Sequence, residues 1–349
     1  MRLQMIGLIG TKGFGKKYGW LLLCAVMGLA SCKSLPPQTT ALSKRIYVGP
    51  GPEDMVLDDS QSSPRLLISC AERRDERPDF AGIVAFGLED GQIDTLKRVG
   101  EPGGLVFHPH GIDFAMVDGK PMLYVISHNM KINDHTIVQY EVGEKELKWV
   151  RSVRSREFTS PNAVSITKDG NFYVSNDRRN GKGWGEAFWR KKVATVVYCT
   201  AEGECNVAAT KVAFGNGIVN RDGHVYQAST TGNVVYRYKV DRHRLTDREV
   251  IAKVTGPDNL RFSKNGILVA CHVRGVAFLR HFNNPKNLSP TVVYEIPKGG
   301  EPRCIYSDDG SNISAGATGL IYKNKLYVNQ VMENWIVVVD LDEKAKPKK

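Results

Sequence analysis

Residues 160–171 read Ser160-Pro-Asn-Ala-Val-Ser-Ile-Thr-Lys-Asp-Gly-Asn171, so a short polar motif precedes an apolar run and an Asp-Gly turn. Similar motifs occur at Gly215-Asn216-Gly217 and at Pro257-Asp258-Asn259. The last asparagine of each motif stands eight residues before the next turn glycine in the first case and seven in the other two. Self-similarity of this kind is typical of a closed or stacked repeat architecture. In a closed ring, equivalent positions converge on the axis, so these polar side chains are predicted to share one site.

Three further segments fit this pattern. Pro52-Glu53-Asp54-Met55 has the same appearance, His110 stands nine residues before Gly119, and Thr318 stands seven before Lys325. The chain therefore offers six copies of one unit.

Short runs rich in β-branched residues follow these motifs, with a unit of about 50 residues, which lies in the range of propeller blades. In the third unit the predicted strands begin at Asn171, after the polar motif, and Gly275–Phe282 is predicted to be a strand of the fifth unit. We predict an all-β fold, a six-bladed β-propeller over residues 44–341. The segment Lys44–Val48 would complete the last blade from the N-terminus and remove the exposed edges. A β-sandwich would not explain why polar motifs recur at one place in each unit.

The N-terminus has the features of an export signal. Residues 1–31 combine four basic residues and no acidic one with an apolar run, Trp20–Ala30, that is too short to span a membrane as a mature helix. The ending Leu29-Ala30-Ser31-Cys32 resembles the bacterial lipobox, which implies that Cys32 is lipidated and becomes the mature N-terminus. The following Lys33 favours the outer membrane by the same resemblance. A plain secretory signal with an incidental Cys32 is the alternative.

These features predict a lipoprotein signal peptide in residues 1–31, a polar tether in 32–43 and a basic tail in 342–349. The protein is thus expected to be an exported lipoprotein of the bacterial cell envelope, held at the membrane through its lipid anchor. The formal net charge of +11 falls to +3 without the four bases of the signal and the four lysines of the tail. Since no basic stripe remains on a defined element, we expect no nucleic-acid partner.

Export would allow disulfides to form. Cys199 and Cys205 bracket a five-residue turn-like connection, which indicates a cross-strand disulfide. Cys70, Cys271 and Cys304 lie in or beside apolar runs and are predicted to be buried free thiols.

The polar motifs also carry a family resemblance over residues 49–341. The chain resembles the paraoxonase/arylesterase family and, more loosely, propellers of the gluconolactonase type. Each motif alone is ordinary turn chemistry, but six in order at blade spacing are a specific signal. The motifs are Gly51–Met55, His108–Ile112, Ser160–Asn162, Phe214–Ile218, Asp258–Leu260 and Ala270–His272.

Two carboxylates and three amide carbonyls stand at the repeated position, a set of hard oxygen donors without thiolate or imidazole that suits Ca²⁺ rather than Zn²⁺. The family resemblance implies a catalytic calcium at these positions. The alternative is that the asparagines only cap turns. The predicted ligands are Glu53, Asn162, Asn216, Asp258 and Asn259.

A second calcium is a weaker prediction. Asp54 matches a position that holds a second, buried calcium in the resembled family. Ala163 stands where the family has a matching aspartate, and the loss of a carboxylate should weaken or abolish that site.

His110 and His128 are the candidates for proton transfer. His110 occupies the repeated position itself, while His128 ends the following strand, and both match the histidine pair proposed for the family. An imidazole with its ordinary pKa near 6.5 can take a proton from water at neutral pH. Histidines on inner strands also commonly satisfy buried polar groups, which is the alternative. His108 and His272 are lesser candidates.

Other hydrolytic devices are absent from the sequence, which has no Gly-x-Ser-x-Gly elbow and no His-Glu-x-x-His pair. The resemblance implies hydrolysis of lactones or aryl esters. Calcium would polarise the carbonyl, His110 would activate water, and calcium together with Asn162 would stabilise the oxyanion. The alternatives are a sugar lactonase of the gluconolactonase type and a non-catalytic, ligand-binding lipoprotein propeller.

An insertion, Arg178–Lys192, interrupts the third blade and contains Trp184, Phe188 and Trp189. In the resembled family the matching insertion covers the mouth of the active site. Here it is predicted either to be such an apolar lid, which would favour aryl or alkyl substrates, or to be an ordinary surface loop.

Overall fold

The computed structural model describes residues 34–39, 43–74, 80–129, 132–179 and 185–341. The predicted signal peptide, Cys32 and the basic tail lie outside these residues, and so does Trp184. The division of the chain into signal, tether, propeller and tail therefore stays a prediction. Within the predicted tether, Thr39 N donates to Ser307 O at 2.8 Å.

Six mainly antiparallel sheets form the described part of the molecule. In each sheet consecutive strands follow the chain from the axis outwards, and the second and sixth sheets gain an outermost strand from an earlier part of the chain. The first blade has β2 (Pro52–Asp58), β3 (Arg65–Ala71), β4 (Ala81–Gly87) and β5 (Ile93–Thr95). The second has β7 (Pro109–Val117), β8 (Lys120–Asn129), β9 (Asp134–Val142) and β10 (Glu146–Arg154), and β6 (Lys97–Val99) adds a parallel outer edge. The third has β11 (Pro161–Ile166), β12 (Phe172–Asn176), β13 (Lys192–Cys199) and β14 (Cys205–Ala213).

The remaining blades repeat this order. The fourth has β15 (Gly215–Arg221), β16 (His224–Ser229), β17 (Val234–Asp241) and β18 (Arg244–Ala252). The fifth has β19 (Pro257–Phe262), β20 (Gly266–Cys271), β21 (Thr291–Pro297) and β22 (Arg303–Asp308). The sixth has β23 (Gly316–Tyr322), β24 (Lys325–Gln330) and β25 (Trp335–Asp340), with β1 (Ser43–Tyr47) as its outermost strand.

The ring is closed in two ways. Each innermost strand contacts the next around the axis, and β23 of the sixth blade contacts β2 of the first. The outer closure is made by β1, which pairs antiparallel with β25 from Ser43 opposite Val339 to Tyr47 opposite Trp335. The prediction of a six-bladed propeller closed by an N-terminal strand is confirmed.

The core is divided among the blade interfaces. Six apolar clusters each join two neighbouring blades, so that no blade buries its apolar faces alone. Central strands are buried on both faces; all seven residues of β3 are buried, for example. This two-sided burial explains why the sequence shows continuous apolar runs rather than strict alternation.

Three expectations about local structure are wrong. No strand is predicted at any of the six polar motifs, yet each motif opens the innermost strand of its blade, as in β11 (Pro161–Ile166). Gly275–Phe282 is not a strand but part of the helix Gly275–Asn283. Its Val276, Leu279 and Phe282 recur at a spacing of three, which places them on one helical face. Cys304 is exposed, whereas Cys70 and Cys271 are buried free thiols.

Among the described residues, two short helices interrupt the sheets. Helix α1 (Gly185–Phe188) lies in the insertion of the third blade, and helix α2 (Gly275–Asn283) connects β20 to β21. Within the described part of the chain, no helix combines the length and apolar character needed to cross a membrane. Cys199 and Cys205 face each other at the outer end of the third blade and form a disulfide.

Candidate metal and hydrolytic site

A β-bulge at the start of each innermost strand positions the candidate site. The pairing register shifts at the first residues of all six innermost strands, directly at the polar motif. A bulge bends the strand and changes the direction of a side chain, and bulges are common beside functional sites. Because each bulge falls at the same point of its blade, the second residue of a strand presents its side chain near the axis.

Glycines let these bulged segments approach one another closely. A Cβ added to Gly111 would lie 2.3 Å from Asn162 O, and one added to Gly217 would lie 2.5 Å from Leu260 N. A side chain at either position would push neighbouring blades apart at the axis. The glycines beside the motifs therefore serve the close contact of blades.

The five predicted metal ligands are all buried, with at most 6% of each residue exposed. In four of them one side-chain oxygen has no hydrogen-bond partner although it is buried. A buried polar atom without a partner is costly and indicates a group bound there in the functional protein. The four atoms are Glu53 Oε2, Asn162 Oδ1, Asn216 Oδ1 and Asn259 Oδ1.

Neighbouring groups fix the orientation of two of these amides. Thr230 donates its hydroxyl to Pro257 O at 2.7 Å and so accepts from Asn216 Nδ2 at 3.2 Å. Asn259 Nδ2 donates to the carboxylate oxygen Glu53 Oε1 at 3.0 Å. Since each amide nitrogen is already engaged, each amide oxygen is left for another partner.

The donor set fits calcium. Carboxylate and amide oxygens are the ligands that Ca²⁺ takes in proteins, and two carboxylates would balance its charge. Across the described residues, no three His, Cys, Asp or Glu side chains gather as a metal site by themselves. A cation here would therefore depend on the amide oxygens, as the repeated motif suggests.

The two carboxylates of this set have different surroundings. Burial alone would raise the pKa of Glu53, but His110, Arg73 and Asn259 outweigh it and hold the pKa below its usual value. Burial raises the pKa of Asp258, although His272 opposes the shift and its Nε2 lies 2.6 Å from Asp258 Oδ2. His272 thus pairs with a predicted ligand and is itself covered by Phe278 of α2, with ring centroids 4.4 Å apart.

Asp54 does not fit a second metal ion. Its Oδ1 accepts from Arg261 Nη2 at 2.6 Å and from Thr318 Oγ1 at 3.0 Å, and its Oδ2 accepts from Ile112 N at 2.9 Å. The guanidinium of Arg261 is buried and also donates to the carbonyls of Met55, Leu260 and Ile112. An arginine cation therefore already occupies the side of Asp54 that a second calcium would need. Burial raises the pKa of Asp54 to about 6 even beside Arg261, so this carboxylate is ionised at neutral pH.

His110 and His128 are hydrogen-bonded, with His110 Nδ1 and His128 Nε2 2.8 Å apart. His110 Nε2 lies 3.5 Å from Glu53 Oε2, which places this nitrogen beside the unpartnered carboxylate oxygen. His128 Nδ1 in turn lies 2.9 Å from His135 Nδ1, because the two residues pair directly across β8 and β9. Burial lowers the pKa of His128 well below its usual value, so its ring is neutral at pH 7.

His108 is less suited to proton transfer. Its Nε2 lies 3.1 Å from Glu72 O, and burial together with Arg73 lowers its pKa to about 4.

The insertion of the third blade is only partly described. Trp189 is 70% exposed and its ring centroid lies 4.9 Å from that of Phe188. Arg190 Nε donates to Thr231 O, which ties the end of the insertion to the fourth blade.

Sequence reasoning missed two residues of this region. Arg261 stands two residues after Asn259 on the same strand, and His135 stands directly opposite His128. An arginine between Leu260 and Phe262 in a buried strand, and a histidine on each side of one hairpin, were the available signals.

Comparison with known proteins identifies the family and supports the fold. The sequence model of the arylesterase family matches residues 83–338. Canine serum paraoxonase/arylesterase 2 is 26% identical over 346 residues, which cover 94% of this chain and 96% of the relative. Human serum paraoxonase/lactonase 3 is 26% identical over 270 residues, covering 73% and 75%. Among solved structures, a protein assigned as a gluconolactonase aligns with a TM-score of 0.57 at 16% identity, covering 88% of this chain and 93% of its own, which bears on the fold alone.

Proposed function

Because the chain belongs to the arylesterase family, we propose that it hydrolyses lactones, aryl esters or both with one calcium ion at the propeller axis. The observation that carries this proposal is the set of four buried oxygens without hydrogen-bond partners at the second or third residue of four innermost strands. Glu53, Asn162, Asn216, Asp258 and Asn259 would hold the ion. When bound, calcium would supply a positive charge that polarises the substrate carbonyl and favours the developing oxyanion.

The protein's own groups would carry the proton. His110 Nε2 would take a proton from the attacking water and later return it to the leaving alkoxide. The hydrogen bond from His110 Nδ1 to His128 Nε2 would fix the ring so that Nε2 faces the reacting water. The amide of Asn162 would stabilise the oxyanion.

A single cation is proposed because Asp54 is already neutralised by Arg261. The prediction of one calcium is thus retained, and the second is not. Calorimetric titration of metal-free protein with calcium should give a stoichiometry near one. A calcium concentration 100 times the dissociation constant should also stabilise the fold by about 2.7 kcal/mol, since only the folded state binds.

The aromatic pair in the insertion, of which Trp189 is exposed, favours aryl or alkyl substrates over sugar lactones. Phe188 and Trp189 would offer apolar contact to such a substrate. A panel of aryl esters, alkyl lactones and gluconolactone, assayed with and without chelator, separates the candidates. A preference for gluconolactone would point to a sugar lactonase, and no hydrolysis of any substrate would support a non-catalytic binding protein.

Export and lipidation are proposed on the sequence features of residues 1–32 alone. Mass spectrometry of the mature protein should find no peptide from residues 1–31 and a lipid-modified Cys32. An intact Met1 would refute both processing steps.

A further inference from the structure

Three histidines form a continuous line of hydrogen bonds from the axis into the second blade. The nitrogen pairs are His110 Nδ1 with His128 Nε2 at 2.8 Å and His128 Nδ1 with His135 Nδ1 at 2.9 Å. The ring centroids are 5.0 and 4.9 Å apart, and each pair of rings meets edge to face. His128 uses both of its nitrogens in this line, so it connects the other two rings.

The outermost nitrogen of this line, His135 Nε2, has no hydrogen-bond partner. His135 is only 5% exposed, and its Nε2 is buried without a hydrogen-bond partner. The residue lines an open cleft of about 780 Å³ that is also bordered by Asp134, Arg154 and Arg179. A cleft of this size and polarity can hold water, but His135 Nε2 itself is covered and does not face it.

Charged groups around His135 are balanced. Asp134 on its own strand and Asp177 after β12 favour protonation, while Arg178 and His110 oppose it. Arg154 on β10 lies 3.4 Å from Asp134 and offsets part of its charge, and Arg178 pairs with Asp177 at 3.0 Å. Burial is the largest effect and lowers the pKa of His135, so the ring is neutral at pH 7 and can both accept and donate a proton.

We propose that His135 is a positioning residue of the hydrolytic site, which completes a three-histidine proton relay by accepting, through His128, the proton that His110 takes from water. The proposal rests on the proposed function, because it requires His110 to act as the base. Neither His128 nor His135 is a candidate metal ligand, and no resident ion is needed for the line of hydrogen bonds.

The relay balances as follows. Water gives its proton to His110 Nε2, and the Nδ1 proton of His110 moves to His128 Nε2. The Nδ1 proton of His128 then moves to His135 Nδ1, and His135 holds it as an imidazolium that the carboxylates of Asp134 and Asp177 stabilise. The proton returns by the reverse path when the leaving alkoxide takes it from His110. One net proton leaves when the product carboxylic acid ionises.

The test uses the calcium-loaded protein and the His135→Ala variant, with His224→Gln as the control because His224 lies on β16, away from the site. We expect kcat of His135→Ala to fall about tenfold with KM unchanged, since the base itself remains. Imidazole added to the assay should restore much of this loss by entering the vacated space and accepting the proton of His128. His128→Gln should not respond to imidazole in this way, since the line is cut at its buried centre.

A second measurement does not depend on activity. In metal-free protein with ¹⁵N-labelled histidine, a nitrogen–nitrogen coupling across the hydrogen bond should connect His128 Nδ1 and His135 Nδ1. A missing coupling, full kcat in His135→Ala, or a loss that imidazole does not relieve would each overturn the relay. Full kcat in His135→Ala with an active wild type refutes the relay alone, whereas an inactive wild type refutes the proposed function together with it.

Discussion

Glu53 and Asp54 are adjacent on β2, both are buried, and yet their surroundings are opposite. Asp54 has hydrogen bonds on both oxygens and a direct ion pair with Arg261. Glu53 keeps one oxygen without a partner, and the nearest basic group is the His110 ring at 3.5 Å. On one side of β2, which we call the closed side, the guanidinium of Arg261 neutralises Asp54. On the other, the open side, Glu53 Oε2 has no hydrogen-bond partner.

This difference shows how to distinguish, near the propeller axis, a buried charged residue that stabilises the fold from one that is available to bind a ligand. A buried charge with a complete set of partners contributes to the architecture, and removing its partner leaves an uncompensated ion. A buried oxygen without a hydrogen-bond partner carries a desolvation cost that a bound cation would relieve. Four substitution experiments can test the difference between Glu53 and Asp54, and the largest effect is expected at Glu53.

Glu53→Gln should abolish specific calcium binding and, with it, hydrolysis. Loss of an anionic ligand should weaken calcium binding at least as much as loss of an outer-shell partner, which costs about 10- to 100-fold. In metal-free buffer at neutral pH the variant should be somewhat less stable than the wild type, because His110, Arg73 and Asn259 lower the pKa of Glu53 and so favour its charged form in the folded state. Calorimetric calcium titration and urea unfolding measure the two effects, and calcium should no longer raise the midpoint. Normal calcium affinity in Glu53→Gln would show that the open side of β2 is not the metal site.

His110→Gln should lower the rate of hydrolysis without weakening calcium binding, because His110 is proposed to activate water and not to hold the ion. General-base assistance is worth about 10²- to 10⁴-fold, so hydrolysis should fall by that range while calcium affinity and folding survive. His128→Gln should cost less, since water can partly replace an orienting partner. Steady-state rates from pH 6 to 9 with parallel calcium titrations provide the measurement. A full rate in His110→Gln across this pH range would mean that the base has been misassigned.

Arg261→Met should destabilise the fold by about 3–5 kcal/mol, because Asp54 would remain as an unpaired buried charge. The double variant Arg261→Met with Asp54→Asn should recover much of this loss. Urea unfolding in calcium-free buffer measures both. A single-variant loss of about 1 kcal/mol or less, typical of an exposed pair, would show that Arg261 does not complete the closed side.

Cys199→Ser with Cys205→Ser should give the smallest effect. The two cysteines are only six positions apart in the sequence, so the disulfide closes a short loop. Its removal should therefore lower the free energy of unfolding by only about 2 kcal/mol. Calcium affinity should stay unchanged, because the bridge lies at the outer end of the third blade. A change in calcium affinity would contradict the expectation that the candidate calcium site does not depend on this disulfide.

The propeller could be predicted from the sequence because its signal is repeated six times. One motif such as Gly215-Asn216-Gly217 is ordinary turn chemistry, but recurrence at a fixed spacing identifies the ring and the position of its polar side chains. Glu53 and His110 could be selected for the same reason, since each occupies the repeated place. The bulges that aim these side chains at the axis were not predicted, because a bulge depends on the pairing register of two strands.

Arg261 and His135 could not be predicted because their partners are set by tertiary structure. Arg261 bonds to residues 149 to 207 positions away, in the first and second blades. His135 comes into contact with His128 only when β8 and β9 pair in the observed register. The helix at Gly275 was missed because a short apolar run fits a strand as well as a helix, and the spacing of its apolar residues was not used.

The strand β1 has a consequence for the order of events during synthesis. It is made first among the described strands, yet its only strand partner in the sheet, β25, is made last. The sixth blade is therefore incomplete until nearly the whole chain exists, and the ring cannot gain its final stability during elongation. Contacts between such distant segments form slowly, because a long loop must close before they contribute. Five blades can pair locally as they emerge, but the propeller becomes one cooperative unit only after the two ends of the chain have met.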